Sequence, residues 1–301
     1  MSSIHNPDVN LDRRTQIVSG SGKHRAMEDI FIGSEALADG VLTRAQLRWN
    51  YRALFPDVYM RAEATPSLSQ RAVGAWLWSG RRAVVAGLAA AALHGTQWVD
   101  ESTDVEVIWR HGRPPRGIVG RSERIESDEI IDIAGVPVTT PERTAFDLAR
   151  HHPRDLAVAY LDALSSATGV TASAVQPLVD RYQRSRHSWR AVDALRLMDG
   201  GSQSPEETMV RLALIDAGLP APKTQFAVTD GKATAFIAMA YEAPMVGVEF
   251  GTSTPDVVVQ KRWTMIRATD AVNPKVIVYL VRAAVIELGY PLWKLHRLSG
   301  G

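Results

Sequence analysis

Apolar residues recur at helical spacing in some stretches of the chain and at alternate positions in others. Residues 28–60 hold two short helical patterns and a strand. Thr43 stands where an N-cap would, Ala45, Leu47 and Leu54 follow it, and Pro56-Asp57 makes a turn before VYM. Helix, turn, helix and short strand outline a small winged helix. Residues 67–94 read as helical in two pieces, SLSQRAVGAWLWSG and AVVAGLAAAALHG, stopped by Gly95. DVEVIW at 104–109 alternates like a strand, and IIDIAGVPVTT gives short strands about a glycine turn. Pro141 then opens a helix, ERTAFDLAR. Residues 153–199 are helical, broken at 168–173, with Thr171 as an N-cap.

GGSQSP at 200–205 has the composition of a linker. After it, EETMVRLALIDAGL is an amphipathic helix closed by Gly218. Thr224 to Val228 is extended, and Ala235–Ala240 and Met245–Phe250 read as strands joined by YEAP. Val276 to Val281 reads as a further strand, RAAVIELG as a helix and PLWKL as a final strand. Residues 1–27 are polar without apolar period and read as a disordered arm. The expected architecture is α/β: an α-rich region over 28–200 with a winged-helix start, then a mixed sheet flanked by helices over 201–301.

Composition narrows the function classes only a little. Of 301 residues 46% are hydrophobic and 22% charged, an ordinary globular balance. Cysteine is absent, so disulfides and thiolate metal sites are excluded, which fits a cytoplasmic protein. No uninterrupted apolar run is long enough to span a bilayer, and the start has no signal-peptide core.

The net charge of +1 means that nucleic-acid binding has to rest on local patches. One patch is Arg110, Arg113, Arg116, Arg121 and Arg124, with Glu123 the single acid among them. A second is Arg181, Arg184, Arg186 and Arg190. A third is the helix after Thr43, where Arg44, Gln46, Arg48 and Asn50 suit base edges and phosphates if 28–60 is a winged helix. Each patch equally suits a solvated surface offset by acids elsewhere. His94, closing an Ala-rich helix, reads as a packing residue or a helix C-terminal cation rather than a ligand.

SPEETMVRLALIDAGLPAPKTQ followed by AFIAMAYEAPMVGVEF resembles the opening of a very-short-patch-repair-type endonuclease domain, a branch of the PD-(D/E)XK restriction-endonuclease-like superfamily. Upstream, LTRAQLRWNYRALFPDVYM, ALHG and GVPVTTPERTAFDLAR resemble AbiEi-type antitoxins of toxin–antitoxin systems. The first resemblance implies a Mg²⁺ site for phosphodiester hydrolysis. Its helix glutamate falls on Glu207 and its second-strand glutamate on Glu249, both as catalytic and metal-binding residues. Two further expected aspartates fall on Ala238 and Gly251, and the chain departs from the pattern after Phe250; Asp256 lies close enough in sequence to substitute. Ser204 with Glu207 also fits a capping box, a purely structural role. The resemblances together imply a protein that binds double-stranded DNA, with a metal-dependent endonuclease-like site impaired in hydrolysis. The alternative is a non-catalytic, antitoxin-like DNA-binding transcriptional regulator. Either reading leaves room for a toxin partner or a homo-oligomer, and neither calls for a membrane.

Overall fold

A computed structural model describes residues 30–110, 112–251, 255–269 and 273–291. The arm expected over 1–27, and the expected last strand beyond Pro291, lie outside them. Within the described residues the chain is α/β, with three sheets and their helices in chain order.

The first unit has the expected two helices and short strand, but the second helix stops at Asn50: Tyr51–Phe55, expected to continue it through Leu54, are a strand that pairs with the expected one as a hairpin. It runs β1 (Phe31–Ile32), α1 (Gly33–Ala38), α2 (Arg44–Asn50), β2 (Tyr51–Phe55) and β3 (Val58–Arg61), with sheet order β1-β3-β2. Thr43 caps α2 as expected, its hydroxyl and the Gln46 side chain satisfying each other's backbone N–H groups. Asp57, at φ 61° in the hairpin turn, accepts the N–H of Ser34 at 2.9 Å and its hydroxyl at 2.5 Å, which ties the turn to α1. Helix α3 (Leu68–Trp78) lies against the hairpin; Gly74 leaves room there for Leu54 and Phe55.

The second unit is a five-stranded sheet of order β6-β5-β4-β8-β7. It contains β4 (Val84–Ala86), β5 (Val105–Ile108), β6 (Ile118–Arg121), β7 (Ile130–Ile133) and β8 (Val136–Thr139), with α4 (Gly87–Leu93) after β4. The helix expected from Ala83 onward therefore begins only at Gly87. Val84, Val85 and Ala86 are instead a strand, paired antiparallel to β5 and parallel to β8 and buried at all three positions. A short apolar run buried on both faces has no alternation to betray it. Gly87, at φ +57°, makes the strand-to-helix corner where a Cβ would collide with the Glu106 carboxylate. The core of this sheet is continuous with the hairpin: Val58, Met60, Leu68, Val85, Val107 and Val138 share one apolar cluster.

Helices α5 (Pro141–His151), α6 (Arg154–Thr168), α7 (Ala172–Arg181) and α8 (Ser188–Arg196) form a second core around Phe146, Leu161 and Leu164. Pro141 at the start of α5 and Thr171 capping α7 are as expected. The 200–205 stretch is closely packed for a linker. Ser202 is buried, Leu212 of α9 (Pro205–Asp216) belongs to the α5–α8 core, and Arg211 pairs with Asp162 of α6 at 2.7 Å with both side chains almost fully buried.

The last unit has sheet order β12-β11-β10-β9. Strands β9 (Lys223–Thr229), β10 (Thr234–Tyr241) and β11 (Val246–Phe250) form an antiparallel meander, and α10 (Asp256–Gln260) crosses over to β12 (Thr264–Ala268), parallel to β11. The strand expected over 276–281 is wrong: these residues lie in α11 (Pro274–Glu287), and the strand beside β11 is the earlier TMIRA. Asn273 caps α11, Pro274 takes its first turn, and Ile277, Val281, Ala284 and Val285 bury one helical stripe. The β-branched run IVYLV imitates a strand, but tertiary packing overrides that preference.

Candidate nucleic-acid interface

Helix α2 buries only Leu47. Arg44, Arg48, Trp49 and Asn50 all face solvent, and the helix carries no acid. Trp49 is 76% exposed, with the Arg48 guanidinium over its ring at 5.7 Å. Neither Arg44 nor Arg48 makes an ion pair with a described residue. Thr43 and Gln46, by contrast, are occupied by capping each other. The helix thus offers an aromatic ring and two arginines on a short rod braced by a hairpin. Trp49 was not singled out by sequence reasoning, because one apolar residue among polar ones does not announce which face it takes.

The arginines of 110–124 are distributed differently. Arg121 is ion-paired with Glu106, itself buried in β5. Arg124 pairs with Glu126 at 2.5 Å, and Arg110 donates to the Glu123 carbonyl at 3.2 Å. Arg113 and Arg116 remain exposed without an ion pair among the described residues. In the other basic stretch, Arg181 is held by Asp128 at 2.8 Å and Glu129 at 2.6 Å. Much of the charge that reads as a phosphate grip is therefore internal.

These pairs border a buried charge cluster that sequence reasoning missed. Arg143, 1% exposed, donates to Glu129 and to Asp147 at 3.1 Å, and to the Arg124 carbonyl at 3.0 Å. Arg150 bridges Asp147, at 2.8 Å, and Glu123, and Tyr182 donates its hydroxyl to Glu129 at 2.7 Å. The signal was present in ERTAFDLAR: Arg143 and Asp147 are four apart, and Asp147 and Arg150 three apart, on one helix face. Burial pushes the Asp147 carboxyl up to about 6, with Arg143 opposing, and brings Arg150 down to about 10.

Burial, helped by Arg150, also lowers His151 to about 3, so the ring stays neutral at pH 7 and sits 3.3 Å from Glu123. The unfolded chain therefore takes up a proton below the usual histidine pKa of 6.5 that the folded chain refuses. This part of the stability is complete above pH 6.5 and is lost as pH falls toward 3. Between pH 7 and 5, the stability difference between wild type and His151→Asn should shift by about 2 kcal/mol in favour of the variant, measured by urea denaturation at each pH. Asp147 acts in the opposite direction between about pH 4 and 6 in both proteins, and so cancels from the comparison. His94, as expected, is a packing residue: its Nε2 lies 2.8 Å from the Thr139 carbonyl and burial lowers its pKa.

Glu207 sits near the start of α9, buried, where its Oε2 accepts the Gln203 N–H at 2.8 Å and its own N–H is capped by Ser204 at 3.1 Å. Burial raises its pKa. Glu249 is half-buried in β11, in register with Arg267 of β12, and burial raises its pKa while Arg267 opposes. Asp256 is exposed in the first turn of α10. Ala238 is buried in β10 and Gly251 follows β11; neither side chain offers a ligand. Among the described residues no group of three or more His, Asp or Glu side chains is placed to hold a metal ion. No helix among the described residues is long and apolar enough to cross a membrane.

Two uncharacterized proteins, from two strains of Mycobacterium tuberculosis, are each 32% identical over 96 residues, which is 32% of this chain and 35% of theirs. The chain thus matches about a third of the length of these curated relatives. Residues 83–197, from the start of β4 to the end of α8 and enclosing the buried charge cluster, match the model of the AbiEi antitoxin C-terminal domain.

Proposed function

We propose that the protein is an antitoxin-like DNA-binding regulator that reads duplex DNA with α2. The observation that carries this reading is the exposed Arg44, Arg48, Trp49 and Asn50 face on a helix without acids, next to a sheet and helices similar to an antitoxin domain. A short helix of this kind fits the major groove, where arginine recognises guanine edges and phosphates. In this reading the β2–β3 hairpin serves as the wing. Arg113 and Arg116 are the remaining candidates for phosphate contact; Arg110 and Arg121 contribute less, because their guanidinium groups already have protein partners. A toxin partner would act through the 83–197 region.

Fluorescence anisotropy with duplex DNA from upstream of the chain's own reading frame, over a range of salt concentrations, tests this. Wild type should bind with affinity that falls steeply with salt. Arg44→Ala and Arg48→Ala should each weaken binding about tenfold or more, with a smaller salt slope. Equal binding by wild type and the double variant would sink the reading.

For the C-terminal sheet we propose a scaffold role, with Glu207 serving the α9 N-terminus rather than a Mg²⁺ ion. The same preparation should leave supercoiled DNA intact in Mg²⁺ or Mn²⁺. Nicking that needs metal and disappears in Glu249→Ala would restore the endonuclease reading, with Glu207, Glu249 and Asp256 as its ligands.

A further inference from the structure

Helix α11 has two apolar faces. One, Ile277, Val281, Ala284 and Val285, packs into the C-terminal core. The other carries Val276, Tyr279, Leu280, Ala283 and Ile286, at the i, i+3, i+4, i+7, i+10 spacing of a single stripe. Tyr279 is 71% and Ile286 61% exposed, and Val276 and Leu280 are open as well. Arg282, which could interrupt the stripe, is turned away to the Ala217 carbonyl. Together these side chains expose a contiguous, mostly apolar strip on the order of a few hundred Å², the size of the largest patch on a typical monomer, which is often functional.

The sequence of the stripe says which partner. Its charged ends are opposite in sign, Lys275 at the start of the helix and Glu287 at its end, and each lies six residues from Val281. Both are exposed, and neither makes an ion pair with a described residue. An antiparallel copy of the same helix, related by a two-fold axis at the level of Val281, brings Lys275 to the level of the partner copy's Glu287, about 9 Å from the axis along the helix. It sets Val276 at the level of Ile286, and the large Tyr279 at that of the small Ala283, so that bulk meets space. We infer that α11 is a homodimer interface, two copies of this chain pairing antiparallel through this stripe. An area of this size on each copy is below the usual 800 Å² per partner, so the dimer is weak and exchanges.

Sedimentation equilibrium of the full chain from about 1 to 200 μM reads this directly, with circular dichroism confirming that each variant is folded. The weight-average mass should rise from monomer toward dimer across the range. Ile286→Glu, at an exposed position, should hold the protein monomeric. Lys275→Glu and Glu287→Lys should each weaken association, and the two together should restore it, because the swapped charges meet again across the axis. A wild type that stays monomeric throughout, as when residues 292–301 cover the stripe, would overturn the inference. So would association that Ile286→Glu leaves unchanged. A double swap that fails to restore association would overturn the antiparallel pairing. DNA binding does not enter the readout, so this outcome is independent of the regulator reading.

Discussion

Arg143→Ala should lower the free energy of unfolding by about 3–5 kcal/mol, seen as a lower urea midpoint. Arg143 is 1% exposed and its guanidinium serves Glu129 and Asp147, which are themselves 1% and 2% exposed. Removing it leaves Glu129 to Arg181 and Tyr182, and Asp147 to Arg150 alone, at positions almost closed to water, so the cost is mainly that of under-compensated buried charge rather than of lost contacts. Arg143→Lys should recover only part of this. Its ammonium cannot match the planar fork that reaches Glu129, Asp147 and the Arg124 carbonyl together. Replacing Arg143, Glu129 and Asp147 together with apolar residues of similar volume should cost less than Arg143→Ala alone, because the two buried carboxylates go with it, while Arg150 keeps Glu123 and Arg181 keeps Asp128. A loss under 1 kcal/mol for Arg143→Ala would show that water enters the cluster.

Asp162→Ala should be of similar size, about 3–5 kcal/mol, and it tests how the chain is joined. Asp162 is fully buried in α6 and receives the Arg211 guanidinium, the Thr208 hydroxyl at 2.8 Å and the Asp199 N–H at 2.7 Å. Three groups from beyond α8 converge on one carboxylate, although burial pushes its pKa up. Asp162→Asn keeps an acceptor and should lose less, about 1–3 kcal/mol. Because α9 shares its core with α5–α8, the wild type should unfold across residues 200–205 in one transition. A wild type with two separated transitions, and Asp162→Ala shifting neither, would mean that the two parts fold independently.

The sequence determined the local elements whose ends carry their own chemistry. Thr43, Thr171 and Pro141 mark helix starts that are correct, because a cap is satisfied within three residues and needs no distant partner. The meander of β9, β10 and β11 was legible from its alternation and its turns, and the exposed arginines of α2 from the cap that positions them. Long-range packing decided the rest. Val84–Ala86 became a strand because β5 and β8 supply the hydrogen bonds on either side, and IVYLV became a helix because its apolar residues meet the C-terminal core at helical spacing. Of the arginines read as a phosphate grip, tertiary structure brought Glu106 to Arg121 and Asp128 and Glu129 to Arg181, while Arg113 and Arg116 stay open. Charge is written residue by residue in the sequence, but whether a charge is available to a partner depends on which opposite charge the fold brings within a few ångströms, and that is set by contacts between residues far apart in the chain.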